Sequence, residues 1–344
     1  MALEPFAGAA SDRRGRDLSE LRLSIIDRCN YRCPYCMPAD QIDEKHDFLS
    51  PSARMSADEI ETLVRAFVRV GITKLRLTGG EPLLRKDLPE LVERLARIEQ
   101  IEDLALTTNG SLLSTHAQRL RAAGLHRLTV SVDSLDPAQF AELSGGRGKL
   151  AEVLAGIDAA VAAGFSELRI NCVIQRGVNE DQVLPLVEYF RDTPHVLRFI
   201  EFMDVGTING WSPQAVVSAA ELRAQISQRF PLVPAAASRA GTTASRYRYV
   251  DGRGEVGFVA SVTEPFCSDC GRARVAADGQ MYTCLFASKS VDLLTPMRSG
   301  EGVDQLSERI AGIWTAREDR YSELRGGRRG EPLPVRVQMY TVGG

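Results

Sequence analysis

Histidine is scarce in this sequence. Four occur, at positions 46, 116, 126 and 195, and none lies near the C-terminal cysteines 267, 270 and 284. No apolar run approaches the length of a membrane span. The polar start, with Asp12, Arg13, Arg14 and Arg16, lacks the apolar core of a secretory signal, so a cytoplasmic protein is expected. A large net charge is absent too: 42 basic and 45 acidic residues leave −3. Neither nucleic acid nor an anionic membrane is therefore called for as a partner, and any anion site must be built locally. There is no repeat of solenoid length and no long low-complexity segment. The seven cysteines are odd in number, and six fall in two groups, which argues against a disulfide framework and for metal binding. The seventh, Cys172, stands in the apolar run INCVI and reads as a small core residue.

What is present is ordinary for a globular chain of 344 residues, with 44% hydrophobic and 25% charged residues. The organising stretch is LRLSIIDRCNYRCPYCMP, residues 21–38. Apolar residues 21–26 predict a strand that opens into a loop holding Cys29, Cys33 and Cys36. Residues 1–19 are polar and expected to be flexible. Further strands are predicted at 74–78, 104–107, 127–132, 168–174 and 196–202, most of them followed by a helix. Ser56 with Glu59, and Ser218 with Glu221, have the form of capping boxes that start helices. Six such units imply a parallel sheet with right-handed crossovers. They are too few for a closed eight-fold barrel, so the expected fold is α/β, an incomplete (β/α)6 TIM-type barrel.

Domain boundaries follow from the change of rhythm after residue 206. Residues 20–232 read as the partial barrel and 233–344 as a C-terminal region with hairpins around Asp251-Gly252 and Asp278-Gly279. Residues 234–245 read as a mobile loop and 326–330 as a Gly/Arg loop. In parallel α/β folds ligands sit beyond strand C-termini. The cysteine loop, GGEP (80–82 with Gly79), TTNG, SVDS and FMDVG all fall there.

The spacing Cys29-x3-Cys33-x2-Cys36 offers three sulfurs and no nearby fourth ligand, which suits a cubane cluster with one open iron better than four-ligand zinc. Cys267-x2-Cys270-x13-Cys284 repeats the shortage. Spacing alone would make zinc a fair reading of this second group, yet it too lacks a fourth ligand. Beside it, Arg272 and Arg274 alternate, so in an extended segment both face one side. Arg22, Lys74, Arg76, Arg169 and Arg198 lie on predicted strands, where unpaired cations are costly. Collected at one barrel mouth they would receive a polyanion, since guanidinium matches phosphate geometry.

The pairing of CxxxCxxC with GGEP resembles the radical S-adenosylmethionine superfamily. More fully, the chain from 21 to 344 resembles the GTP 3′,8-cyclase family of molybdenum cofactor biosynthesis. The shared pieces are KLRLTGGEPLLRKDL, LTTNG, TVSVDSLD, RINCVIQRGVN, LRFIEFMDVG, FCSDCGRARVAADGQMYTCLF and a terminal Gly-Gly. The resemblance implies two [4Fe–4S] clusters, one on Cys29, Cys33 and Cys36 and a second on Cys267, Cys270 and Cys284. It implies S-adenosyl-L-methionine held by Tyr35, Gly80, Glu81, Ser131 and Met203. It places GTP on Arg22, Arg76, Thr107, Arg169, Arg272 and Arg274, to which the strand cations Lys74 and Arg198 are added as expected GTP contacts, and brings the tail Gly343-Gly344 into the site with a catalytic role for it and for Arg272 and Arg274. The implied reaction takes hydrogen from ribose C3′ and joins C3′ to guanine C8, giving 3′,8-cyclo-7,8-dihydro-GTP. An electron donor is needed, and the next enzyme, cyclic pyranopterin monophosphate synthase, would receive the product. A homodimer is left open. The family usually carries Lys where this chain has Arg169, which keeps charge but changes geometry. The competing readings are another twin-cluster radical enzyme, such as a peptide maturase, and a zinc-stabilised binding protein without catalysis.

Overall fold

Strands form where the apolar runs predict them, each within two residues at either end: β1 (Glu20–Ser24), β2 (Lys74–Thr78), β3 (Asp103–Thr108), β4 (Arg127–Ser131), β5 (Arg169–Ile174) and β6 (Val196–Glu201). The computed structural model describes residues 9–235, 243–325 and 336–343. The 326–330 loop, residues 236–242 of the expected mobile loop and Gly344 lie outside them. The connecting helices are α1 (Ala57–Val70), α2 (Leu88–Ala96), α3 (Leu113–Ala122), α4 (Pro137–Leu143), α5 (Leu150–Ala162), α6 (Val183–Phe190) and α7 (Ala219–Arg229). Both capping boxes are closed: Ser56 accepts from the Glu59 N–H and Ser218 from the Glu221 N–H, each glutamate reaching back to its serine N–H. Such a cap is worth about 1 kcal/mol. Helix α1 ends at Gly71, whose φ of 117° an L side chain rarely adopts. Its apolar stripe, Ile60, Leu63, Val64, Phe67 and Val70, is buried.

The C-terminal region does not stand apart. It supplies β7 (Leu232–Pro234), β8 (Ser245–Tyr249), β9 (Glu255–Val259), β10 (Arg272–Val275), β11 (Gln280–Tyr282) and β12 (Val291–Asp292) to one sheet of order β12-β11-β10-β1-β2-β3-β4-β5-β6-β9-β8-β7. Strand β9 joins β6 in parallel and β10 joins β1 in parallel. The six-unit open barrel is thus extended by one parallel strand at each edge, and antiparallel hairpins finish both sides. Helices α8 (Leu294–Arg298), α9 (Val303–Thr315), α10 (Tyr321–Leu324) and α11 (Met339–Val342) complete the chain. Helix α9 packs against α1, where Ser307 donates to the Ala66 carbonyl, and buries its own Ile310 and Trp314.

Flexibility of residues 1–19 does not hold for residues 9–19. Leu18 is fully buried and Asp12 and Arg16 nearly so. The Arg16 Nε–H donates to Asp12 Oδ2 at 2.7 Å, and Arg317 Nη1 reaches the same oxygen at 3.1 Å. Mutual neutralisation lets this polar segment be buried. It runs under the second cysteine group, where Arg16 Nη1 donates to the Cys267 carbonyl at 2.7 Å.

Candidate active site

The GGEP loop is pressed onto the cysteine loop. The Gly80 N–H donates to the Ile26 carbonyl and the Glu81 N–H to the Arg28 carbonyl, both at 2.8 Å. An added Cβ on Gly79 would come within 2.2 Å of Ile26 O, and one on Gly80 within 2.1 Å of Arg28 O. Only glycine permits that approach. Glu81 was expected beside the cofactor, but its carboxylate is taken up by protein donors: Leu83 N at 3.0 Å, Thr108 Oγ1 at 2.7 Å and Asn109 N at 2.8 Å. It braces two strand-end loops, and burial pushes its pKa up to about 7. Arg32 pins the cysteine loop by donating to the carbonyls of Cys29, Tyr31 and Ile42. The Tyr35 hydroxyl donates to Asp133 Oδ2 at 2.7 Å, and the Val173 N–H donates to Oδ1 at 2.8 Å. Burial raises Asp133 to about 6.

A cavity of about 1020 Å³ connects these loops to the rest of the site. Cys29, Cys33, Cys36, Tyr35, Gly80, Glu81, Ser131 and Met203 line it. So do Arg22, Lys74, Arg76, Thr107, Arg169 and Arg198, and then Arg272, Arg274, Cys267, Cys270 and Cys284. The cations do not sit beyond the strand C-termini, where the barrel rule would put them. They occupy the first and third positions of their strands: Arg22 pairs in register with Arg76 and with Arg274, and Glu20 with Arg272. The cavity therefore runs down the barrel interior.

Register also separates the two cysteine groups. Cys29–Cys36 follow the C-terminal end of β1, whereas Cys267 and Cys270 precede β10, which runs parallel to β1. Five residues of strand, roughly 16 Å, lie between the two levels. Arginines fill that interval. Arg22, Arg76, Arg169, Arg198 and Arg274 are each pushed below the ordinary arginine value by burial and by neighbouring guanidinium groups. Arginine does not give up its proton in proteins, so that stress is relieved by an anion. Glu20 supplies one: its Oε1 is 3.0 Å from Arg22 Nε and 3.8 Å from Arg76 Nε. Burial opposes its charge, but Arg22, Arg76 and Arg272 outweigh that and hold it at about 2. Arg76 also donates to Thr107 and Thr129, and Arg198 to Asn171 Oδ1 at 2.7 Å.

Both cysteine groups suit soft iron–sulfur ligation. All six thiols are free and partly accessible at the cavity wall. Burial raises Cys29 to about 11 and Cys284 to about 12, and pushes Cys33 and Cys36 up as well. Buried thiols of this kind become thiolates only when a metal centre takes the charge. At Cys270, burial is outweighed by Arg272 and Arg317, which lower its pKa; Arg272 Nη2 lies 3.2 Å from the sulfur. The Tyr31 N–H points to Cys29 Sγ at 3.4 Å and Asn109 Nδ2 at 3.9 Å, the outer donors a cluster thiolate uses. A cubane spreads its thiolates over separate irons, and the donor sets fit it.

The tail comes back to the first loop. Val342 is fully buried, and the Gly343 carbonyl accepts from Arg274 Nη1 at 2.5 Å. Gly343 has φ 67°, and a Cβ there would lie 2.2 Å from the Thr78 side chain. Two working groups carried no local sequence signal: Arg317 and Asp133 act through partners far away in the chain. Glu20 had one, since it alternates with Arg22 on the same strand face.

Fold and site together define a protein of the radical S-adenosylmethionine type: an open parallel barrel with a three-cysteine loop after its first strand and GGEP after its second. Residues 23–190 match the model of the Radical SAM superfamily, and residues 195–323 match that of Molybdenum Cofactor Synthesis C. A crystal structure of SuiB from Streptococcus suis superimposes with a TM-score of 0.59 at 15% identity, over 91% of this chain and 69% of that one. A protein of Xanthomonas campestris pv. campestris named GTP 3′,8-cyclase is 59% identical over 340 residues, 98% of each chain. One of the same name from Acidothermus cellulolyticus is 51% identical over 91% of this chain and 88% of its own length. The chain belongs to the GTP 3′,8-cyclase family.

Proposed function

We propose that this chain converts GTP to 3′,8-cyclo-7,8-dihydro-GTP, the first step of molybdenum cofactor biosynthesis, with Cys29, Cys33 and Cys36 holding one [4Fe–4S] cluster and Cys267, Cys270 and Cys284 a second. The observation that carries the reading is the placement of both cysteine groups on one cavity, at opposite levels of β1, with an arginine wall between them. When bound to the first cluster, S-adenosylmethionine supplies a hydrogen-abstracting group at the Cys29 end. Residues 20–232 do this work, and 233–344 form the substrate-side region.

The chain's own residues bind and orient. Tyr35, Gly80, Ser131 and Met203 surround the cofactor, and Asn209 steadies the last by donating to the Met203 carbonyl at 2.9 Å. The guanine base lies toward the second cluster, beside Arg272. The triphosphate lies on Arg22, Lys74, Arg76, Arg169 and Arg198, which a triphosphate would relieve of mutual repulsion. Ribose then falls between base and cofactor, where C3′ and C8 can be joined. Arg169, in place of the usual lysine, offers a planar fork to a phosphate oxygen pair. A cytoplasmic setting, an external electron donor and transfer of product to cyclic pyranopterin monophosphate synthase belong to the same proposal.

Anaerobic incubation with GTP, S-adenosylmethionine and a reductant tests it. Formation of 5′-deoxyadenosine together with the cyclised nucleotide is expected. Two zinc ions per chain and no sulfide after anaerobic reconstitution would sink it.

A further inference from the structure

We propose that Asp204 is a positioning residue that clamps the C-terminal strap, residues 336–343, across the cavity and so sets Gly343 beside Arg274. The carboxylate is 3% exposed and is gripped from three sides. Tyr321 Oη donates to Oδ2 at 2.5 Å, Arg325 Nε to Oδ1 at 2.9 Å and Arg336 Nη1 to Oδ2 at 3.0 Å. Arg336 Nη1 also reaches the Asp204 carbonyl at 3.0 Å, and its guanidinium lies 4.2 Å over the Tyr321 ring. The strap is therefore tied at its base to the residue directly after Met203.

From that base it is held along its length. The Val337 N–H donates to the Ala287 carbonyl at 3.1 Å, three residues past Cys284. Gln338 Nε2 donates to Thr207 Oγ1 at 3.1 Å, and Gly206 makes room for it, since a Cβ there would lie 2.2 Å from Gln338 Oε1. The only helical turn in the strap is α11, four residues long, too short to be stable by itself. Its seat depends on the two ends: Asp204 at the base and Arg274 with Thr78 at the tip. One loop, 203–206, thus carries a cofactor-side residue and the anchor of the strap. Releasing the anchor should leave the first cluster's chemistry in place and misplace the tip.

The activity part of the test rests on the cyclase reading; the exchange part does not. In full-length, reconstituted protein, amide hydrogen exchange over 337–343 is compared for wild type, Arg336→Ala and Arg336→Lys, with Asp204→Asn as a second probe of the same contact. The expected result is at least tenfold faster exchange in Arg336→Ala, partly restored by lysine. Without GTP, 5′-deoxyadenosine formation in Arg336→Ala should stay within twofold of wild type. With GTP, cyclised nucleotide per 5′-deoxyadenosine should fall at least tenfold. Exchange at the wild-type rate in Arg336→Ala overturns the proposal, and so does a loss of 5′-deoxyadenosine in step with the nucleotide product. Should Asp204→Asn fail to fold, Arg336→Ala decides alone, because Tyr321 and Arg325 still satisfy Asp204. A wild type that makes no cyclised nucleotide would refute the cyclase reading while the exchange data still judge the clamp.

Discussion

Gly80 lies against Arg28 so closely that a single added methyl would sit 2.1 Å from the Arg28 carbonyl oxygen. The loop expected to receive the cofactor is thereby locked to the loop that carries Cys29. Gly80→Ala must push the two apart, at a cost of about 1–3 kcal/mol for overpacking. The expected outcome is a lower urea midpoint and loss of most S-adenosylmethionine binding, measured by equilibrium dialysis. Wild-type affinity would show that the contact does not shape the site.

Glu20 is a largely buried acid, its side chain 16% exposed, whose job is electrostatic. Its folded pKa of about 2 lies below the ordinary glutamate value of 4.5, so it stabilises the fold fully above pH 4.5. That contribution fades as pH falls through 2. Glu20→Gln removes an effect on the order of 3 kcal/mol at pH 7 and leaves the arginines facing each other. Guanidinium denaturation should show the loss at pH 7 and a shrinking difference from wild type in acid. Because a triphosphate can replace the lost charge, GTP should stabilise Glu20→Gln more than it stabilises wild type. An equal GTP-induced shift in both proteins would contradict the assignment of phosphate to this wall.

The two cysteine groups lie at different levels of β1, so their losses should differ in kind. Cys33→Ala should abolish cleavage of S-adenosylmethionine. Cys270→Ala should keep some uncoupled cleavage while losing GTP turnover, read as 5′-deoxyadenosine without nucleotide product. Full cyclase activity in either variant would refute the division of labour.

Arg272 and Arg274 alternate on β10 and both reach the cavity. Replacing both with alanine should weaken GTP binding by tenfold or more while S-adenosylmethionine binding stays within about twofold, each charge-assisted contact being worth about 1.5–3 kcal/mol. Calorimetric titration of both ligands settles it. Equal losses for the two would count against the assignment.

The barrel was legible because its signal is local. Apolar runs such as 74–78 and amphipathic stretches such as 57–70 announce strand and helix by their own periodicity. The cysteine spacing and the Arg272/Arg274 alternation were readable for the same reason. The joining of β10 to β1 was not, since about 250 residues separate them and neither sequence names its neighbour. Burial of Asp12 and Arg16 was hidden too: a polar segment looks flexible until Arg317, far along the chain, supplies the second partner. The strand-end rule led to the wrong level for the cations, because Arg22 and Arg76 face an interior that a packed barrel would have filled with apolar side chains.

On the cyclase reading, GTP lies in this cavity with ribose C3′ facing the cofactor at the Cys29 end. This placement is tested most directly with GTP carrying deuterium at C3′, incubated anaerobically with S-adenosylmethionine and a reductant. Deuterium should be transferred into 5′-deoxyadenosine and lost from C3′ of the cyclised nucleotide. Unlabelled 5′-deoxyadenosine with unchanged GTP would contradict the account.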